Sequence, residues 1–351
     1  MAYGDSGRHA DASDGALRDA PAMQPIRRIL VAVKNPAARA LPAVNKAAQI
    51  AKGLGAQLTL FHDIATPLYA EALQGRDIDL KAWQREVQTA RREQLEKVAA
   101  RIRRHGIDVD VAADWDFPPS EAIIRKSLRV DAELVVVENH HGSGRHPARW
   151  LLAYTDWELL RLCPIPVLLV KNRRMYHRPR IIAAIDPGHA RAKPGKLDRQ
   201  ILRAGATLVH ALHGELHALH AFAPALPVVP AMPDGPMVDL ATDREIRESV
   251  AQRALDRAVD GFDVQRSHTH LVAGRPVDVI PRAVRRERGA ILAMGVVSRS
   301  GLKRLFVGNT AESVMDSVQS DLLVVKAADF ALRVPRTGRG VQILSMPVLP
   351  G

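Results

Sequence analysis

The chain has a single cysteine, Cys163, so no intramolecular disulfide can form and nothing ties the fold to an oxidising compartment. The residue precedes Pro164 at an expected helix end, and no neighbouring His or Lys activates it, so thiol chemistry is not supported. Aromatic residues make up only 4% of the chain, which leaves Ala, Val, Leu and Ile to build the core. No apolar run approaches the ~20 residues of a membrane-spanning helix, so no membrane partner is expected. Zinc-finger spacing and RNA-binding signatures are missing. So is Gly-x-Ser-x-Gly, the turn that presents a nucleophilic serine; Gly142-Ser143-Gly144 reads as a flexible loop. Residues 1–24 are small and polar with no apolar centre, which excludes a secretory signal and predicts a disordered leader. The cytoplasm is the expected location.

The 351 residues have an ordinary globular composition, 47% hydrophobic and 25% charged, and are enough for about two domains. The formal charge is +12 and the pI about 10.2. Such a charge raises nucleic-acid binding as a possibility, which would show a steep loss of affinity with salt. The basic residues are, however, spread along helices, as in Arg91, Arg92, Lys97, Arg101, Arg103 and Arg104, or Arg282, Arg285, Arg286 and Arg288. Solvated helix faces account for most of them, and a nucleic-acid partner is not expected.

Short apolar runs alternate with helical patterns. Residues 28–34 read as a strand buried on both faces. A helix over about 40–52 follows, with Leu41, Val44, Ala48 and Ala51 on one face and an expected stop at Gly53 and Gly55. Strands at 57–62, about 108–112, 133–137 and 167–171 alternate with helices over about 81–105, 118–129 and 150–162. This alternation predicts a parallel sheet covered by helices on both faces.

The latter half repeats the order. Residues 180–186 correspond to 28–34, Gly214–His220 to Gly55–Phe61, Ile280 to Ile123, Ile291–Gly295 to Leu134–Glu138, and 322–326 to 167–171, at offsets of about 152 to 159 residues. One unit has therefore been duplicated. The expected layout is a leader (1–24), a first domain (25–172), a second domain (178–328) and an irregular tail (329–351), with 172–179 as the junction. In the tail, 341–346 is apolar enough to dock on something. A Pro-rich loop over 223–236 is a candidate lid.

Each half predicts a doubly wound five-stranded sheet. With strand order 3-2-1-4-5, ligands sit at the carboxyl ends of the first and fourth strands, where the order reverses. In the second half those strands end at Asp186 and Gly295. Between Gly295 and a helix starting near Ala311 lies Val-Val-Ser298-Arg-Ser-Gly301-Leu-Lys303-Arg304-Leu-Phe-Val-Gly308-Asn309-Thr310. Glycines let a backbone approach a ligand, and a helix amino terminus offers free N–H groups to an anion. The stretch is a candidate anion seat, with surface loop and helix cap as the plainer reading.

The two units close in Thr155-Asp-Trp-Glu-Leu-Leu-Arg-Leu-Cys-Pro-Ile-Pro-Val-Leu-Leu-Val-Lys171 and Gly308-Asn-Thr-Ala-Glu-Ser-Val-Met-Asp-Ser-Val-Gln-Ser-Asp-Leu-Leu-Val-Val-Lys326. In these runs, and over about Arg28 to Lys326, the chain resembles the tandem universal stress proteins, in particular the E type. The resemblance implies two α/β domains of the adenine nucleotide alpha hydrolase-like kind, packed as an intramolecular pseudo-dimer through their last strands, with a homodimer as a further option. It also implies a stress-response protein that binds an adenine nucleotide, ATP or a related one, with or without Mg. The family's Gly-x2-Gly-x9-Gly-Ser/Thr motif falls on Gly295, Ser298, Gly308 and Asn309, with Thr310 next door. By resemblance Asp186 and Ala221 flank adenosine, Gly295 and Ser298 face ribose and phosphate, and Gly308, Asn309 and Thr310 cap the phosphates. His220 falls beside Ala221 on the second strand, and Gly274-Arg-Pro276 on a turn before the third helix. Two positions depart from the pattern. Ser298 carries a Cβ that disfavours a left-handed backbone, and Asn309 is an amide where a hydroxyl would ligate metal, although it can cap a helix.

The first half has lost the motif: Lys34 replaces the aspartate, Glu138 the first glycine and Ala153 the third, and Tyr154 stands opposite Asn309. A carboxylate beside a phosphate seat repels it. The first half is therefore expected to pack against its partner or hold another ligand. Hydrolysis of ATP, if any, is expected to be slow, since no general base is evident beyond Asp186. The competing class is a scaffold of the same fold that binds a non-nucleotide ligand or a protein.

Gly188 with Gly195-Lys196 mimics a phosphate-binding loop, but its spacing is long and Leu197 stands where Ser or Thr should hold magnesium. Among the histidines, His140, His141 and His146 share a loop, while His268 and His270 share a strand face at spacing two. His210, His213, His217 and His220 cross a helix–strand turn. None of these has standard ligand spacing, so no metal site is expected.

Overall fold

The computed structural model describes residues 26–69, 79–139, 149–189, 197–223, 240–296 and 309–344. The leader, the 140–148 loop with its three histidines, Gly195 and Lys196, the Pro-rich loop beyond Ala223, Ser298, Gly308 and the last seven residues lie outside them.

The first half runs β1 (Arg28–Ala32), α1 (Pro42–Leu54), β2 (Gln57–Asp63), β3 (Leu68–Tyr69), α2 (Leu80–Arg103), β4 (Val109–Asp114), α3 (Pro119–Arg129), β5 (Leu134–Glu138), α4 (Arg149–Leu162) and β6 (Val167–Val170). The second runs β7 (Arg180–Ile185), α5 (Leu197–Leu212), β8 (Glu215–Phe222), α6 (Leu240–Val259), β9 (Thr269–Ala273), α7 (Pro276–Arg286), β10 (Ile291–Gly295), α8 (Asn309–Ser317), β11 (Asp321–Val325) and β12 (Ile343–Leu344). The sheet has ten strands in the order β4-β2-β1-β5-β6-β11-β10-β7-β8-β9. Each half is thus a parallel sheet of order 3-2-1-4-5. The two meet where β6 and β11 pair antiparallel, Leu168 opposite Leu323.

The strand sequences explain their places. Central strands such as β6 (Val-Leu-Leu-Val) and β11 are buried throughout, as expected for strands covered on both faces. The edge strand β4 carries Asp110 and Asp114 and is only partly buried. Helices α1, α2 and α5 close one face over Ile50, Leu95 and Leu208, and α3, α4, α7 and α8 close the other over Ile124, Leu159, Val284 and Val314.

Two expectations are corrected. Gly55 ends α1, with φ 64° and its N–H on the Ala51 carbonyl. Gly53 does not; it lies inside α1, where a Cβ would fall 2.0 Å from the carbonyl oxygen of Ala211. Its role is to let α1 cross α5 backbone to backbone. The second correction concerns the repeat alignment. Arg28 pairs with Gln57 and Arg180 with Glu215, so Gln57 corresponds to Glu215 and His62 to His220, one residue away from the expected match of Phe61 with His220.

The seam between the halves has reciprocal and one-sided parts. Lys171 Nζ donates to the carbonyls of Met315 and Val318 at the end of α8. Lys326 Nζ donates to those of Leu160 and Arg161 at the end of α4. Each closing lysine therefore caps a helix of the other half, where carbonyls and the dipole favour a cation. One-sided is the buried ion pair of Lys46 (α1) with Asp321 (β11), 2.5 Å. Tyr176 donates to the same carboxylate, and Asn172 receives Lys46 through its carbonyl oxygens.

Residues 329–344, expected to be irregular, cross back to the first half. The Arg339 N–H donates to Asp116, Arg125 reaches the Pro335 carbonyl, Val334 is buried, and Ile343–Leu344 pairs in parallel with Leu68–Tyr69.

Candidate functional site

In the second half the order reverses between β10 and β7, which pair from Ile291↔Ile181 to Met294↔Ala184. Asp186 and Gly295 follow directly on the carboxyl edge. The Asp186 N–H donates to Asp198 Oδ1 (3.1 Å) in the first turn of α5, leaving its own carboxylate about one third exposed at the edge. His220 sits under it, Nδ1 3.2 Å from the Ile185 carbonyl and 3.9 Å from Asp186 Oδ1. Ala221 is the next residue of β8. Because β10 and β11 are parallel, the helix between them must run back along the sheet, so the amino terminus of α8, at Asn309 and Thr310, faces the same edge.

Gly295 makes its close approach to protein. A Cβ there would lie 2.7 Å from Leu197 Cδ2 and 3.0 Å from Ile201 Cδ1. The missing side chain seats the start of α5 against β10, a need that the sequence reading attributed to ligand alone. Ser298 and Gly308 lie outside the described residues.

The equivalent edge of the first half encloses a cavity of about 650 Å³, lined among others by Lys34, Asp63, Arg91, Glu138 and Asp156. The corrected register puts Asp63 where the second half has Ala221, as Lys34 stands where it has Asp186. Burial lowers the Lys34 pKa, against the pull of Asp156, Asp63 and Glu138. Burial pushes Asp63 up to about 7 and also raises Glu138. Lys34 Nζ is 3.9 Å from Asp156 Oδ1. His62 repeats the role of His220, Nδ1 2.7 Å from the Val33 carbonyl. Three carboxylates around a lysine make this a different chemical environment from the second site. Sequence reasoning missed Asp63 and Asp156; Asp63 was hidden by the one-residue slip in the repeat alignment.

A doubly wound domain of this order, used twice and joined strand to strand, is an α/β protein of the adenine nucleotide alpha hydrolase-like fold. The model of the universal stress protein family matches residues 25–171 and again 178–326, and the chain belongs to that family as a tandem, E-type member. It is 26% identical over 307 residues to universal stress protein E of Photorhabdus laumondii, covering 86% of this chain and 95% of that one. It is 25% identical over 286 residues to its counterpart in Escherichia coli K12, covering 81% and 89%. A solved universal stress protein from Pseudomonas aeruginosa UCBPP-PA14 superposes with a TM-score of 0.65 at 24% identity, over 87% of this chain and 94% of that one. No helix among the described residues is long and apolar enough to cross a membrane.

Proposed function

We propose that the second half binds an adenine nucleotide, ATP or a close relative, with Mg as the accompanying ion. The observation that carries this is that Asp186 and the amino terminus of α8 share the carboxyl edge of the sheet at the strand-order reversal. A carboxylate at the first strand end accepts hydrogen bonds from ribose or base, and free N–H groups of a helix start donate to phosphate oxygens. Ala221 offers a small apolar surface beside the base. Ser298, Gly308, Asn309 and Thr310 would close around the phosphates. The first half is read as a site for something else, because Glu138 and Asp156 would face a phosphate with like charge.

Equilibrium dialysis with labelled ATP, with and without Mg, tests this. One nucleotide per chain at sub-millimolar concentration is expected, and Gly308→Asp should abolish it by setting a carboxylate against the phosphates. Binding only above millimolar, or binding indifferent to Gly308→Asp, would leave the non-nucleotide scaffold as the better reading.

A further inference from the structure

The amino-terminal edge of the second half's sheet, opposite the nucleotide edge, gathers five titratable side chains from three elements. Glu215 and His217 lie on β8, His268 closes the short turn leading into β9, His270 lies on β9, and Glu287 just after α7. Three imidazoles cluster there. His217 lies 4.1 Å from His268 between centroids, at 14°, and 5.3 Å from His270, at 5°.

His217 is only 3% exposed, and one of its nitrogens has company: Nδ1 is 3.0 Å from His270 Nε2. The other, Nε2, is fully buried and has no hydrogen-bond partner among the described residues. Glu215 Oε2 lies 3.7 Å away, beyond hydrogen-bond distance. A buried polar atom left this way costs on the order of 1–3 kcal/mol unless something else satisfies it. If His217 Nδ1–H donates to His270 Nε2, then His270 Nδ1–H faces Glu287 Oε1 at 3.9 Å. That chain leaves a lone pair on His217 Nε2, with the Glu215 carboxylate 3.7 Å away and the His268 ring stacked over its face. A lone pair, a second imidazole and a carboxylate around one point are the donors of a cation.

We propose that Glu215, His217 and His268 bind a divalent transition-metal cation of the zinc class, with His270 and Glu287 orienting His217 from behind. The donor atoms of the triad lie within 4.8 Å of one another, so a centred ion would be at most roughly 2.8 Å from each. Closing by under ~1 Å brings all three to the ~2.0–2.1 Å of zinc–nitrogen and zinc–oxygen bonds. His268 is half-buried in a short turn and Glu215 is exposed, so His268 can turn out of the stack to aim a ring nitrogen at the ion and Glu215 can swing in. Glu215 is also held by Arg180 Nε at 3.1 Å, a surface pair of the kind that is worth little and gives way to a metal. Burial and the neighbouring His268 and His270 push His217 down to about 4, which keeps its ring neutral as a ligand must be. A histidine held by a second polar group behind it is the usual support of such ligands. Two histidines and one glutamate leave a fourth position open to water.

The full-length chain, stripped with a chelator, is titrated with Zn²⁺ by calorimetry and with Co²⁺ by visible absorption. One ion per chain and a four- or five-coordinate Co²⁺ spectrum are expected. His268→Ala and Glu215→Gln should each weaken Zn²⁺ at least tenfold, and His270→Gln several-fold. A triple His140, His141 and His146 to alanine control should bind as the parent does. The assignment is overturned if His268→Ala leaves affinity and spectrum unchanged, if the triple control loses the ion, or if the parent binds none. Should His217→Gln fail to fold, His268→Ala, at a half-buried turn, still decides.

Discussion

Asp63 occupies the strand position that Ala221 fills in the second half, and this one substitution turns an apolar wall into an ionisable one. Its carboxyl titrates at about 7 because burial disfavours the charge more than Lys34 restores it. The folded chain therefore holds a proton between pH ~4 and ~7 that the unfolded chain has released. In that window stability falls as pH rises, and above it the buried charge persists as a cost. Asp63→Asn should therefore gain roughly 1–2 kcal/mol over the parent at pH 8 and little at pH 4, allowing for water in the cavity. Urea melts at the two pH values measure it, and an equal effect at both would refute the raised pKa. This residue was not legible in the sequence. Side chains alternate faces along a strand, so a one-residue slip between repeats hides which residue lines the cavity. Lys34, Glu138 and Asp186 were legible, because they end strands whose apolar runs are unmistakable. Gly53 was misread for a related reason: a glycine near a helix end looks like a stop until the partner helix is known. Gly53→Val should cost about 1–3 kcal/mol by pushing α1 off Ala211, measured by urea unfolding.

At the scale of elements, the first half's helices and main-sheet strands were readable to within a few residues, because period and punctuation are local; the short β3–β12 ladder was not. What joins elements was not. The Lys46–Asp321 pair links α1 of one half to β11 of the other over 275 residues of sequence, and nothing in either segment announces the partner. Burial lowers the lysine pKa, while Asp321 pulls it back up. Removing one partner strands the other charge in the core, which typically costs about 3–5 kcal/mol. Asp321→Leu should show a loss of that size, and Lys46→Met added to it should recover much of it. A double-mutant cycle in urea measures the coupling, and additive losses would show that the two charges do not depend on each other. The histidine cluster has the same logic. His217 and His268 stand far apart in sequence, and only the β8–β9 register, Ala218 opposite Thr269, makes them neighbours.

At the scale of the molecule, the duplication was visible but its consequence is structural. Two domains tethered by a linker would unfold separately if their shared surface were small and polar. Here the last strands of both halves pair inside one sheet, flanked by buried Leu168, Leu169, Leu322 and Leu323. Lys171 and Lys326 each finish a helix belonging to the other half, and residues 334–344 return from the second half to cover the first. Neither half keeps its edge strand β6 or β11 covered without the other, and an apolar strand edge left open is costly in water. The two halves should therefore unfold as one unit: a single calorimetric transition with equal van't Hoff and calorimetric enthalpies. Lys171→Met with Lys326→Met should lower its midpoint by several degrees, since each removes hydrogen bonds to carbonyls of the other half. Two resolved transitions in the parent chain would mean that the seam merely aligns two independent domains, and that occupancy of one site has no route to the stability of the other.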